Sequence, residues 1–494
     1  MSGVAKMFRA TDTGIELHPD HGRVITRLFV AGREDVGPGD SRANVVIERV
    51  LDLDEDQVAA EMADLDERFL HRHRRLHETY LEHADLIIPR IEGRGDALTD
   101  QRRLLLGAVF THEYAIEGAA LCNPSAVLYP DPIAAGKASF VMSVRGVGEG
   151  HRSSIGFRTG SLMADGTVTL DPAEPFPVIA GPVAAPYRRN VFHAKLDDLA
   201  DDLENAAFVL DQLPERFDDD QLEERLVALR ADVATRRNVE DTMHNLRQVA
   251  ASSYRVEFPP SAALSERVLW PSSPAERHGM EDARFVRFVH DDGSVVYYGT
   301  YTAFDGVNIA QHVLETRDFQ TFDVSPMAGA AAQGKGLALF PRKVRGRFVA
   351  LSRSDRESNA IAFSDDLRCW PTSEQIQVPT RPWELLQLGN CGSPIETDDG
   401  WLVLTHGVGP MRTYSLGVLL LDLTDPSRVL ATSMDPIVVP RDDRRDGYVP
   451  NVVYSCGGFA HGDTLLLPYG VADQSIAIAT MSIRELLASL TPVE

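Results

Sequence analysis

The chain is poor in cysteine and in positive charge, and it has no long apolar run. Four cysteines stand among 494 residues. Cys122, Cys369, Cys391 and Cys456 are scattered without Cys-x-x-Cys spacing, which excludes a zinc framework and a disulfide scaffold. Lys and Arg number 49 against 73 Asp and Glu, a net charge of −24. A field of that sign repels polyanions, so general binding to nucleic acid or an anionic membrane is excluded. A local cationic pocket for a small anion is not. No stretch approaches the roughly 20 apolar residues of a membrane span, and Met1 to Ala10 has no apolar signal core. The expectation is therefore a cytoplasmic protein. A Walker loop and a nucleophile elbow are also missing. Gly146-Val-Gly-Glu-Gly150 follows one strand and leads to another, so it is no dinucleotide fingerprint. His151, His278, His406 and His461 lack metal-ligand spacing and read as structural. Neither a metal nor an organic cofactor is expected.

What is present is the composition of a folded protein, 44% hydrophobic and 25% charged. A chain this long exceeds one simple core. From Asp54 to Glu92, Val58, Met62, Leu65, Phe69 and Leu76 recur at helical spacing. From Lys195 to Ser253, Leu203, Phe208, Leu210, Leu213, Leu222, Leu226 and Leu229 do the same, interrupted by Pro214. Both segments read as amphipathic helices packed on a main body, or as a lid or a surface for self-association.

The remainder is rich in short apolar strands separated by Gly, Asp and Pro turns. Five strands end in polar residues: Ser139 to Arg145, Val296 to Thr302, Phe348 to Arg353, Trp401 to His406 and Leu465 to Tyr469. Each precedes a second strand: Ser154 to Arg158, Ile309 to Glu315, Ala360 to Phe363, Tyr414 to Leu421 and Ser475 to Ala479. This repeat predicts a mainly β fold, a five-bladed β-propeller with added α-helical segments. The expected divisions are N-terminal strands of the propeller (1–50), a helical segment (51–116), a first blade region (117–194), a helical insertion (195–255) and the remaining blades (256–494). In such a fold Arg145, Thr302, Arg353, His406 and Tyr469 would ring one channel.

The most informative stretch is His278-Gly-Met-Glu-Asp-Ala-Arg-Phe-Val-Arg-Phe288. It sets Glu281 and Asp282 side by side at the mouth of a strand. Successive strand residues face opposite ways, so regular geometry sends only one into a pocket. That makes one a structural acceptor and the other a candidate acid. Asn123, Arg145, Asp305, Lys335, Arg342 and Asp473 are further polar residues at strand ends and turns. Any one of them reads as a turn former or an ion-pair partner. Several converging on one channel would need a ligand to offset their burial. Carboxylates and cations together suit cleavage of a glycosidic bond.

At this point the chain resembles glycoside hydrolase family 130, the inverting β-mannoside phosphorylases and β-mannosidases. The resemblance rests on Met280-Glu-Asp-Ala-Arg284, Tyr301-Thr-Ala-Phe-Asp-Gly306, Lys335 to Lys343, Gly392-Ser-Pro-Ile-Glu-Thr397, Gly400 to Gly407, Leu420 to Pro426 and Tyr469 to Asp473. It spans roughly Glu117 to Gly160 and Met280 to Thr480, with the helical segments outside it. It implies Asp282 as general acid, with Ala283 where the family usually has proline. It implies Asn123, Arg145 and Asp473 about the sugar, and Lys335 and Arg353 about phosphate; the residues themselves add Asp305 and His406 as sugar-positioning candidates and Arg342 and Arg412 as further cations. Glu396 stands where phosphorylases usually carry lysine, which makes it a candidate base for hydrolysis. The implied activity is phosphorolysis of β-mannosides to α-mannose 1-phosphate, with inorganic phosphate as co-substrate. A hydrolase on the same scaffold and a non-catalytic glycan-binding propeller are the alternatives.

Overall fold

The computed structural model describes residues 10–30, 41–90, 98–129, 136–232 and 237–493; Met1 to Arg9, most of the stretch read for a signal core, lie outside them. The chain forms two compact units, residues 20–116 with 174–178, and the rest.

The smaller unit is helical. Ser41–Leu51, Glu55–Phe69, Leu76–Ile87 and Asp100–Val109 are α-helices beside the antiparallel pair Val24–Leu28 and Thr111–Ala115. Within 1–50, where N-terminal strands were expected, Thr11–Leu17 and Val24–Leu28 are strands and Ser41–Leu51 is helical. Asp54 opens the second helix with a capping box shared with Gln57, which satisfies backbone donors that the helix itself cannot. Val58, Met62, Leu76 and Tyr80 pack in one core with Leu105 and Phe110.

The larger unit is mainly β, and its five predicted strand pairs are present as antiparallel ladders. They are Lys137–Val147 with Ser153–Met163, Val295–Phe304 with Ile309–Thr316, and Phe348–Ser352 with Asn359–Ser364. The last two are Gly400–Gly409 with Thr413–Leu421 and Thr464–Val471 with Ser475–Ser482. The first two pairs share one sheet, joined through the strand Gly279–Val289. Apolar contacts link the others in succession. Val286 and Phe288 pack with Ala350 and Trp370. Leu351 and Ile361 pack with Trp401 and Val403, and Leu402 and Leu404 with Leu465 and Leu467. Leu466 and Ile476 return to Phe140 and Met142 of the first pair. Trp370 and Trp401 are wholly buried, and burial of a side chain this size contributes roughly 2–3 kcal/mol. Thr11–Leu17 adds a strand to Ser475–Ser482.

The predicted second helical stretch is interrupted. It comprises Arg189–Asp198, Leu203–Leu210, Asp219–Ala231 and Val239–Ala251, with Pro214 in the break between the second and third. These helices share a core of their own, including Phe192, Leu196, Val209, Leu226 and Leu246. Polar contacts tie them to the sheets: Asn190 donates to Asp366 at 2.8 Å, and the Gly329 amide donates to Asp198 at 3.1 Å. No described helix is long and apolar enough to cross a membrane.

Candidate active site

A cavity of about 580 Å³ opens where the polar strand ends meet. Its chemistry begins with a break in strand geometry. In Gly279–Val289, Glu281 faces Thr302 and Arg284 faces Thr300. Asp282 and Ala283 therefore share the space opposite Tyr301, which is a β-bulge. Asp282 takes a left-handed backbone, φ 55°, a conformation that aspartate tolerates better than most residues. The bulge cancels the alternation that was expected to part the two acids. Glu281 and Asp282 both line the cavity. Arg145 donates to both, at 2.7 Å to Glu281 and 3.4 Å to Asp282. Lys335 approaches Glu281 at 3.4 Å.

Asn123 reaches the cavity by the same device. Its strand, Ala120–Leu128, slips register between Cys122 and Ser125, and Asn123 has φ 47°. Pro124 lacks an amide donor and fits only because the ladder is broken there. The Ser125 hydroxyl then accepts from the Phe285 amide at 3.1 Å and ties the two bulges together. Asp473 sits in a hairpin turn after Ala472, both left-handed (φ 47° and 52°), the type I′ pattern. Arg412 is also left-handed, φ 54°, and leads into Thr413–Leu421.

Two arginines shape the floor, Arg284 buried and Arg353 half-buried. Arg284 donates to the Asp282 carbonyl at 2.8 Å, the Cys391 carbonyl at 2.7 Å and the Tyr454 hydroxyl at 2.8 Å, so it fixes the bulge rather than facing the cavity. Arg353 lines the cavity, and Gly389 makes room for it, because a Cβ there would collide with the guanidinium. His406 is fully buried beside Tyr454, with ring centroids 4.8 Å apart. Neither of its ring nitrogens has a hydrogen-bond partner among the described residues. Burial, reinforced by Arg353 and Arg284, pushes its pKa well below the usual imidazole value.

The two aspartates titrate apart. Burial raises Asp282, but Arg145, Arg284, Lys335 and Arg353 outweigh it and hold the carboxyl below its ordinary value. Asp473 is raised to about 6, chiefly by burial and with help from the Asp282 charge. Such divergence between neighbouring carboxyls is a mark of acid–base sites.

The structure thus brings together Asn123, Arg145, Asp282, Lys335, Arg353, His406, Arg412 and Asp473. It leaves out Asp305, Arg342 and Glu396. Asp305 caps its own loop, accepting from the amides of Val307 and Asn308 at 2.7 and 2.6 Å. Glu396 pairs with Arg342 through two hydrogen bonds, 2.6 and 2.9 Å, while the Arg342 guanidinium stacks on Trp401. Alternation explains this: Ile395 is buried, so Glu396 faces outward, where it lines a separate acidic cavity. Thr302 and Tyr469 also miss the channel. Thr302 is buried and accepts from Gln311, and Tyr469 packs in the core. Tyr448, Tyr454 and Arg356 line the cavity although the sequence patterns did not single them out. The tyrosine-bounded loop Tyr448-Val-Pro-Asn-Val-Val-Tyr454 was the available signal.

Among the described residues, Arg145, Lys335, Arg353, Arg356 and Arg412 line the cavity against only Glu281, Asp282 and Asp473. Poised carboxyls, an excess of cations and a neutral imidazole are groups suited to acid–base chemistry and to holding an anion. The family 130 model, described as beta-1,4-mannooligosaccharide phosphorylase, matches residues 225–491, and the chain belongs to glycoside hydrolase family 130. That match begins inside the helix Asp219–Ala231, so part of the helical stretch falls within it. A 1,2-beta-oligomannan phosphorylase of Thermoanaerobacter sp. (strain X514) is 35% identical over 227 residues, 45% of this chain and 75% of the relative. A beta-1,2-mannobiose phosphorylase of Listeria innocua is 34% identical over 231 residues, 45% of this chain and 63% of the relative. A solved beta-1,2-mannobiose phosphorylase from Listeria innocua, in complex with beta-1,2-mannobiose, is 25% identical with a TM-score of 0.44, covering 76% of this chain and 93% of that one.

Proposed function

We propose that this chain catalyses inverting phosphorolysis of β-mannosides, releasing α-mannose 1-phosphate and a shortened acceptor. The observation that carries the reading is the surplus of cations over carboxylates in the cavity, set in a chain of net charge −24. Water needs no such surplus; a phosphate dianion does. The pairing of Glu396 with Arg342 outside the cavity supports the same conclusion. It removes both the repulsion of phosphate and the candidate base for water. The β-1,2 names of two relatives make β-1,2-mannobiose the first substrate to try.

In this reading Lys335, Arg353 and Arg412 hold phosphate on one face of the bound mannose. A phosphate oxygen attacks the anomeric carbon as the bond to the leaving oxygen breaks, so configuration inverts. Asp282 supplies the proton through a mannose hydroxyl, which passes its own to the leaving oxygen. Lys335 and Arg353, two of the four cations that hold Asp282 below its ordinary value, are ones that phosphate would neutralise. Phosphate binding therefore raises Asp282 toward the protonated form it needs. Asn123, Arg145, His406 and Asp473 position the sugar. The five strand pairs, packed in succession and returning to the first, support five blades of a propeller, with residues 195–255 inserted between the first and second. A cytoplasmic location fits an enzyme that uses inorganic phosphate.

Asp282→Asn preserves the left-handed backbone and removes the proton, and should lower kcat by about 10²–10⁴-fold. Arg353→Met should raise KM for phosphate by about 10–100-fold, the worth of a charge-assisted hydrogen bond, with KM for the mannoside little changed. Steady-state kinetics with either substrate varied checks both. Unchanged phosphate affinity in Arg353→Met would remove that residue from the site.

A further inference from the structure

A second cavity, about 500 Å³, adjoins the first. Val307, at the tip of the loop between Val295–Phe304 and Ile309–Thr316, lines both. Beyond it the strand alternates: Ile309 faces the catalytic cavity, whereas Asn308, Ala310 and His312 face the second. The opposite wall is supplied by the helical insertion, through Lys195 of Arg189–Asp198 and Gln248 of Val239–Ala251.

The lining of this cavity is mainly apolar, yet one of its polar groups is unsatisfied. His312 is 1% exposed, and neither ring nitrogen has a hydrogen-bond partner among the described residues. Burial, only partly offset by nearby Glu276, lowers its pKa to about 4. The ring lines the cavity with its nitrogens buried, and in its neutral form it carries one donor and one acceptor, the pair that a hydroxyl reaching it would meet. A buried pair left unmet is costly. The loop is held in advance of any ligand. Asp305 caps it, and Gly306 (φ 107°) leaves no room for a side chain against His278. Lys195 is paired with Asp198 at 3.4 Å, and Arg277 and Asp305 add one charge of each sign to the lining, so no net charge favours an anion. Val249, Pro274 and Pro326 give an apolar flank of the kind on which the C–H face of a sugar packs.

We propose that this cavity is a subsite for sugar units of a longer β-mannoside, those beyond the pair at the scissile bond, with the chain crossing the loop tip at Val307. The proposal rests on the phosphorylase reading above. It makes the helical insertion a determinant of substrate length.

The test compares β-1,2-mannobiose with the tetrasaccharide in wild type, Gln248→Trp and Arg277→Ala. Both altered residues are exposed, and they line the second cavity but not the first. Wild type should favour the tetrasaccharide in kcat/KM by about tenfold, roughly the worth of one or two hydrogen bonds. Gln248→Trp should abolish that preference and Arg277→Ala reduce it, with mannobiose turnover unchanged. Equal kcat/KM for both lengths in wild type would overturn the subsite, as would equal losses on both substrates in Gln248→Trp. Calorimetric binding of the two saccharides separates the two readings. Absence of turnover with tetrasaccharide-selective binding that Gln248→Trp removes would sink the phosphorylase reading and keep the subsite. Turnover without length selectivity in kinetics or binding would do the reverse.

Discussion

Asp473 shows how one buried group couples the site to pH. Its carboxyl is raised to about 6 in the folded chain, chiefly by burial. A group raised in this way adds stability that is complete below its ordinary value and is lost as pH rises through about 6. Above that pH the buried carboxylate costs roughly 3 kcal/mol. Asp473→Asn removes the charge and keeps the shape. The variant should therefore melt above wild type at pH 8 and alongside it at pH 4. Equal melting temperatures at both values would mean that Arg145 and Arg412 already neutralise the carboxylate. Asp282 has the opposite sign: its contribution is present above the ordinary carboxyl value and is lost as pH falls through its lowered one. Two acids in one cavity are thus tuned apart, Asp473 upward by burial and Asp282 downward by its cations.

The strand pairs were legible in the sequence because apolar runs bounded by Gly and Asp turns dictate them directly. The bulges were not. A hydrophobic pattern records which face a residue takes in a regular strand, and the left-handed φ of Asn123 and Asp282 breaks that rule. Hence the acids at 281 and 282 were expected to diverge and instead share Arg145. The partnership of Arg342 with Glu396 was hidden for another reason: 54 residues separate them, and each alone looked like a site residue. Conversely, Pro214 marked the break in the helical insertion correctly. That insertion leaves and returns at adjacent points, since Ala184 and Tyr254 are cross-strand partners. A tight Asn-Gly turn in place of residues 185–253 should therefore rejoin the ladder without moving its ends. The shortened protein should stay folded and turn over mannobiose, while losing any preference for longer chains. Insoluble protein would mean instead that the helices complete the core of the larger unit.

Within the larger unit, each group of strands packs its apolar face on the next, and the last returns to the first. The strand Thr11–Leu17 belongs to that return, because it pairs with Ser475–Ser482 and places Ile15 and Leu17 against the core that joins the last group to the first. Removing residues 1–18 should expose an edge of Ser475–Ser482 and lower the melting temperature by about a few degrees. An unchanged transition in calorimetry would show that the packing of the last strand group on the first does not depend on this strand.

The central claim is that phosphate, not water, takes the mannosyl group. Phosphorus NMR of the purified protein with β-1,2-mannobiose and inorganic phosphate reads this directly. The account predicts that the phosphate signal is converted into α-mannose 1-phosphate as mannose appears in equal amount, and that cleavage stops when phosphate is left out. Mannose released at the same rate without phosphate, with no sugar phosphate formed, would contradict it.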